Sequence, residues 1–370
     1  MYTFGLVGTL LWFALMAIIS TKESVIRKEI VLGKEETRFH PWFALLVIAP
    51  VIIWAGFRSG AGYVDTNAYI RMYAKIPTGI SDLFHYITVV QTKDPGFSIY
   101  LAIIKKLFGS SYTPFLFISA LIQGLAVTFF FRKYSSQFMI SMFIFIASTE
   151  YFSWMFNGLR QFLAVAIALI AFRFLFEKKY IPYVLLILLA STIHLTAIIL
   201  LPVAFIVNSR PWSIRVFIVL GIAVFALIAT NQFTDFLNSS LQDTQYSDSV
   251  EYWQQEHFGG TNPLRVLVQI VPTVIAFVGR RKLAENSNRI IDISINMSVV
   301  STAIWLVSMV TSGIHIGRLP IYVSLFNNIL LPYEIQILFN EKDQRIVKIA
   351  MVVLYLAFSY YQFHFAWHII

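Results

Sequence analysis

The stretch FMISMFIFIASTEYFSWMFNGLRQFLAVAIALIAFRFLF, Phe138–Phe176, holds two apolar runs broken by the polar segment Asn157-Gly158-Leu159-Arg160-Gln161. The runs Phe138–Phe156 and Leu159–Phe176 each fall in the range of about 17–25 residues that crosses a bilayer as a helix. A short polar link between two such runs predicts neighbouring spans joined at one membrane face. The pattern recurs along the chain. Further spans are expected at Thr3–Ser20, Trp42–Phe57, Pro114–Phe131, Ser213–Thr230, Pro263–Gly279, Ile291–Met309, Leu319–Phe339 and Ile346–Trp367.

Composition agrees. The 370 residues are 58% hydrophobic and 13% charged, against roughly 25% charged in soluble domains. The fold class expected is all-α: a polytopic integral membrane protein of about 11–12 transmembrane helices. One transmembrane domain is expected over 1–370, without a separate soluble domain or internal repeat. There is no cysteine, which excludes disulfides, thiolate metal sites and cysteine nucleophiles. The first apolar run lacks a charged n-region and a small-residue cleavage site, so it reads as a retained span. The net charge of +9 fits basic anchoring at the cytoplasmic face rather than nucleic-acid binding.

Two segments depart from the pattern. Pro95–Phe108 is too short for a span and carries Lys105 and Lys106, as a non-spanning helix in an outer loop would. Ile181–Val207 is long for one span, with His194 in its middle. Read as a hairpin of two crossings, it places most basic residues inside, as membrane topology favours. These are Lys22, Arg27, Lys28, Lys34 and Arg38, then Arg132, Lys133, Arg173, Lys178 and Lys179, then Arg210, Arg215, Arg280, Arg281, Lys282 and Arg289, with Lys342, Arg345 and Lys348. Arg58, Asp65, Arg160, His194, His257, Arg265, His315 and Arg318 then share the outer face.

Outer loops 58–94 and 231–262 form the expected substrate-facing side. The first carries Tyr63, Tyr69, Tyr73, His85 and Tyr86. The second sets Asp235, Asp243, Asp248, Glu251 and Glu256 beside Tyr246, Tyr252, Trp253, His257 and Phe258. Carboxylates beside flat rings suit sugars, although the membrane aromatic belt supplies such rings anyway.

Charges at membrane depth are costly and mark candidate sites. Arg58 and Asp65 flank a glycine-rich span mouth. Asp65 reads as a base, a metal ligand or an ion-pair partner of Arg58. Arg160 and Gln161 open a helix, where a planar guanidinium and free N–H groups suit phosphate oxygens. His194, among hydroxyl neighbours, reads as a general base, a phosphate donor or a structural histidine. Arg318 and Tyr322 lie four apart, on one face of an α-helix. Snorkelling to headgroups is the competing reading for each arginine. No Walker A loop, dinucleotide fingerprint, HExxH or nucleophile elbow is present, which argues against nucleotide-driven chemistry.

Five elements together resemble the EpsG family of exopolysaccharide proteins, a Wzy-like polymerase group. They are Arg58…Gly62…Asp65-Thr66…Tyr69; Asp94-Pro95-Gly96-Phe97; Asn157-Gly158-Leu159-Arg160-Gln161; His194 in its apolar run; and Gly317-Arg318…Tyr322. Asp94 stands where the family has glutamate as often, and no catalytic role is drawn for it from the sequence. The resemblance implies a fold similar to the GT-C membrane glycosyltransferases. It also implies polymerisation of undecaprenyl-diphosphate-linked oligosaccharide repeat units at the outer face of the bacterial cytoplasmic membrane. Donor and acceptor would both be lipid-linked, with flippase and chain-length-regulator proteins as expected partners. Arg58, Arg160 and Arg318 are expected on the diphosphate, Gln161, Tyr69 and Tyr322 on the substrate, and Asp65 or His194 as the base. No cofactor is expected; a divalent metal is not required, though the acidic groups leave room for one. The rival expectations are a glycan ligase or single-sugar transferase, and a transporter or flippase without chemistry.

Overall fold

The structure, a computed structural model, describes residues 2–59, 64–91, 93–148, 150–230, 232, 260–311, 313 and 316–366; the side chains of 2–4, 64, 151, 152 and 366 stand outside that description. Among the described residues the chain is helical apart from one two-stranded hairpin, an all-α polytopic membrane protein. Among the described residues, four helices are long and apolar enough to cross a bilayer, five if one bent pair counts as a span, and seven shorter apolar helices accompany them. Two compact units divide it, Met1–Leu201 with Arg345–Ile370, and Pro202–Gln344.

The first unit begins with α1 (Tyr2–Ile19), the hairpin β1 (Ile26–Val31) and β2 (Lys34–Phe39), and α2 (Pro41–Gly56). The hairpin was not anticipated from the sequence, where its charges mark only an inside loop. It turns through Leu32 and Gly33, both at positive φ, as tight two-residue hairpin turns require. Glu29 on β1 pairs with Arg132 of a later span, and Arg38 Nε donates to the Lys133 carbonyl at 3.1 Å.

Then come α3 (Val64–Lys75), α4 (Ile80–His85), α5 (Pro95–Phe108) and α6 (Thr113–Tyr134). Proline in the first turn starts α2, α5 and α6, where its missing N–H costs nothing. The expected span 138–156 is two helices, α7 (Phe138–Ala147) and α8 (Glu150–Phe156), followed by α9 (Leu159–Phe176) and α10 (Tyr180–Ile193).

Past α10 the chain reverses. His194 is extended, a 3-10 turn covers Leu195–Ile199 and α11 (Leu200–Val207) follows. The Tyr183 hydroxyl donates to the Leu200 carbonyl at 2.9 Å. A straight helix would hold those residues about 25 Å apart, so the chain folds back on itself after α10. Its 14-residue first arm is about 21 Å long, short of a hydrocarbon core of about 30 Å.

The second unit holds α12 (Ile214–Ile228), α13 (Pro263–Val278), α14 (Arg280–Asn286), α15 (Arg289–Val310) and α16 (Asn327–Leu338). Helices α13 and α14 are bent by 77°. Asn288 caps α15 by accepting from the Ile290 and Ile291 N–H groups. Residues Ile316–Tyr322 are 3-10 rather than α-helical. Finally α17 (Glu341–Tyr361) returns to the first unit, where the Ser359 hydroxyl donates to the Ala147 carbonyl.

Candidate functional site

Three helix ends of the first unit meet around one carboxylate. Asp94 caps α5 in the left-handed region, φ 55° and ψ 58°, a strained conformation for a residue with a side chain. Its Oδ2 lies 2.9 Å from Arg160 Nη1 in the first turn of α9. Its Oδ1 accepts the Leu195 N–H at 3.0 Å, where α10 has just ended. The amino ends of α5 and α9 add positive potential around the carboxylate. The Arg160 guanidinium also lies 6.0 Å from the centre of the Phe97 ring, one turn into α5.

Gly96 makes this convergence geometrically feasible. A β-carbon there would fall 2.9 Å from the Thr192 Cβ and 3.0 Å from its carbonyl carbon, with the hydroxyl closer still. Only glycine lets the start of α5 sit so close to the end of α10. Beneath it, α3, α5, α6 and α9 share one apolar cluster built on Tyr73, Phe97, Leu101, Phe115, Leu159 and Leu163. Tyr73 stacks on Phe115 at 5.4 Å, and Lys105 caps α3 by donating to the Ala74 and Ile76 carbonyls. The short helix α5 is therefore a packed part of the site's floor.

The other expected residues of this unit lie around the cluster. His194 is the residue before Leu195, with Nδ1 2.7 Å from the Thr196 hydroxyl. The edge of Tyr69 meets Phe97 at 5.8 Å. Gln161 is buried one residue after Arg160. Asp65 opens α3, its backbone N–H donating to Asn157 Oδ1 at 3.0 Å. Arg58 is 4% exposed. It donates from Nε to the Thr66 hydroxyl and from Nη2 to the Phe156 carbonyl, both at 3.2 Å, and from Nη1 to the Ala55 carbonyl. Thr66 itself donates to Phe156 O at 2.8 Å. Arg58 thus straps α2, α3 and α8 together behind the site.

Burial pushes the Asp94 carboxyl up from its ordinary value, opposed by Arg160, the Leu195 N–H and Lys93. At Arg160 the buried Nε has no hydrogen-bond partner, so the guanidinium holds a donor beyond its bond to Asp94. Among the described residues no group of three or more His, Cys, Asp or Glu is placed to hold a metal.

Arg318 and Tyr322 belong to the second unit. A spacing of four shares a face on an α-helix, but at about three residues per turn the 3-10 form sets Tyr322 roughly 120° around from Arg318. Tyr322 is 1% exposed. Arg265 lies over the Trp305 ring at 5.1 Å. Tyr63, His257, His315 and the acidic-aromatic stretch 233–259 lie outside the described residues.

Asp94 is a participant for which no role was read from the sequence. Its signal was an acid directly before Pro-Gly at a helix start, visible only as part of a resemblance.

Fold and site together define a polytopic all-α membrane protein with an arginine–carboxylate cluster where its helix ends meet. Residues 41–368 match the EpsG family, and the chain belongs to that family. Membership implies a polysaccharide-polymerase-like role of glycosyltransferase type. No curated protein and no solved structure matches the chain.

Proposed function

We propose that this protein joins oligosaccharide repeat units carried on undecaprenyl diphosphate, at the outer face of the bacterial cytoplasmic membrane, in a GT-C-like fold. The observation that carries the reading is Arg160, held by Asp94 at the start of α9 with a further donor unpaired. A fixed guanidinium at a helix amino end suits a diphosphate leaving group.

In the step proposed, a sugar hydroxyl of the acceptor attacks the anomeric carbon of the donor glycan. The bond from that carbon to the diphosphate oxygen breaks, and the electron pair leaves with the diphosphate. Arg160 stabilises the charge developing there. The hydroxyl proton passes to Asp65 or to His194. Gln161 and Tyr69 bound the substrate, and Arg58 holds the floor through α2, α3 and α8. No step needs a metal, because a fixed cation supplies the electrostatic work.

The test uses purified protein in detergent with short-chain polyprenyl-diphosphate repeat units, products resolved on a gel. A ladder of glycans that disappears in Arg160→Ala is expected. A single-step product would replace the polymerase reading with a ligase or monosaccharide transferase. Passage of the lipid across liposomes without product would replace it with a flippase.

A further inference from the structure

Glu334 lies in α16 at 0% exposure, and neither carboxyl oxygen has a hydrogen-bond partner. A buried carboxyl without a partner is costly whether ionised or neutral, since the neutral form still carries an O–H to satisfy. At membrane depth such a group marks a proton or ion site.

Its surroundings follow from contacts on either side. Asn327 Nδ2 donates to the Gln269 carbonyl of α13 at 3.2 Å. Leu338 packs where a β-carbon on Gly279 would meet it at 2.6 Å. Helices α13 and α16 therefore run parallel, with Glu334 level with Ala276. Glu334 is seven residues from Asn327, so both occupy the α13-facing side. One turn back along α13, the Thr273 hydroxyl lies 2.7 Å from the hydroxyls of both Ser298 and Thr302 on α15. Each of these hydroxyls keeps acceptor capacity after bonding. Ser301, on the same helix, has a buried hydroxyl with no partner. The basic groups beyond the seam do not reach the carboxyl: Arg280 donates to Phe277 O and Lys282 to Leu338 O.

We propose that Glu334, with hydroxyl oxygens of Thr273 and Ser298, binds a monovalent cation of the sodium class within the seam of α13, α15 and α16. The oxygen-only set suits a hard cation. One carboxyl among neutral oxygens balances one unit of charge, and the described residues gather no acidic cluster of the kind a divalent ion uses.

The experiment is thermal unfolding of the purified full-length protein in detergent, at fixed pH and ionic strength, as choline chloride is replaced by sodium chloride. The midpoint is expected to rise by about 3–5 °C over a roughly hundredfold concentration range. Glu334→Gln should unfold cooperatively with no sodium response. Thr273→Val keeps the carboxyl and should need about tenfold more sodium for the same shift. If Glu334→Gln does not fold, the wild-type and Thr273→Val titrations decide alone. A wild-type midpoint equal in sodium, lithium, potassium and choline overturns the proposal. So does a sodium response that survives in Glu334→Gln, or a midpoint that responds to pH and to no cation. Polymer synthesis takes no part in the readout.

Discussion

Replacing Asp94 with asparagine keeps the shape and the acceptor for the Leu195 N–H but removes the charge that holds Arg160. Two unit charges about 4 Å apart at an effective dielectric of about 20 attract by roughly 4 kcal/mol. The Arg160 side chain is 27% exposed and that of Asp94 10%, so solvent screening and the desolvation of the carboxylate offset much of this. About 1–2 kcal/mol of net restraint remains. The effect on catalysis should be larger than on stability, because a misplaced oxyanion-stabilising donor costs about a hundredfold in rate. The expected outcome is normal membrane abundance with polymerisation slowed about a hundredfold, and partial activity in Asp94→Glu. Burial holds this carboxyl above its ordinary value. The fold therefore binds its proton more tightly than the unfolded chain does. Its contribution to stability is greatest in acid and declines as pH rises through the raised value. The ion pair with Arg160 forms only above that value, so activity should fall on acidification at a pH above the ordinary aspartate value. Asp94→Asn should lack that limb. A variant within threefold of wild type at equal abundance, with the same acid limb, refutes the reasoning.

Other consequences concern the frame of the site. Gly96→Ala forces α5 from α10 and should cost about 1–3 kcal/mol, seen as lower abundance after mild heating; Thr192→Ala in the same chain should recover part of it, and an unaffected single variant contradicts the close approach. Burial raises the Glu29 pKa, but the hydrogen bonds and charges of Arg132 and Arg27 together bring it below its ordinary value. Its stabilisation should therefore be present above about pH 4.5 and be lost as pH falls below it. Hairpin protease resistance followed against pH in wild type and Glu29→Gln checks this, and identical profiles refute it. Because the chain has no cysteine, Lys34→Cys and Asp82→Cys can be labelled singly in intact cells. An impermeant reagent should reach only Asp82→Cys, and labelling of Lys34→Cys alone would reverse the proposed orientation. Arg318→Ala, in the second unit, should lower polymer yield at least tenfold if it binds phosphate; unchanged yield removes it from the substrate list.

Much of the helical plan was legible because lipid imposes a simple code on sequence. Spans 113–134, 159–176 and 289–310 needed only continuous apolar runs of sufficient length. The reversal at His194 was legible from an over-long run and the distribution of Lys and Arg. What stayed hidden depended on backbone form. The β1–β2 hairpin rests on a positive-φ turn at Leu32-Gly33 and on Glu29 finding Arg132 about a hundred residues away. The 3-10 form of Ile316–Tyr322 changes which side chains share a face, which spacing read as α-helix cannot anticipate. Arg58, read from the sequence as a mouth residue, also donates to Ala55, Thr66 and Phe156, bonds that no spacing announces.

The contrast between Arg58 and Arg160 bears on which arginine the proposed site would use. Both arginines sit near span ends, and both carry a charge that lipid penalises. The guanidinium of Arg58 is buried against two carbonyls and a hydroxyl, so its bonding serves the neighbouring helices. Arg160 is partly exposed, bound on one side by Asp94, and keeps an unpaired donor. The carboxylate that binds it is itself fixed by the Leu195 N–H and by a left-handed cap at α5. Strain at Asp94, close approach at Gly96 and the helix break at His194 all act on that one guanidinium. A headgroup-snorkelling arginine needs none of these restraints, because the interface supplies its partners. Arg160 is held at a fixed point by its carboxylate partner, as the proposed diphosphate site requires.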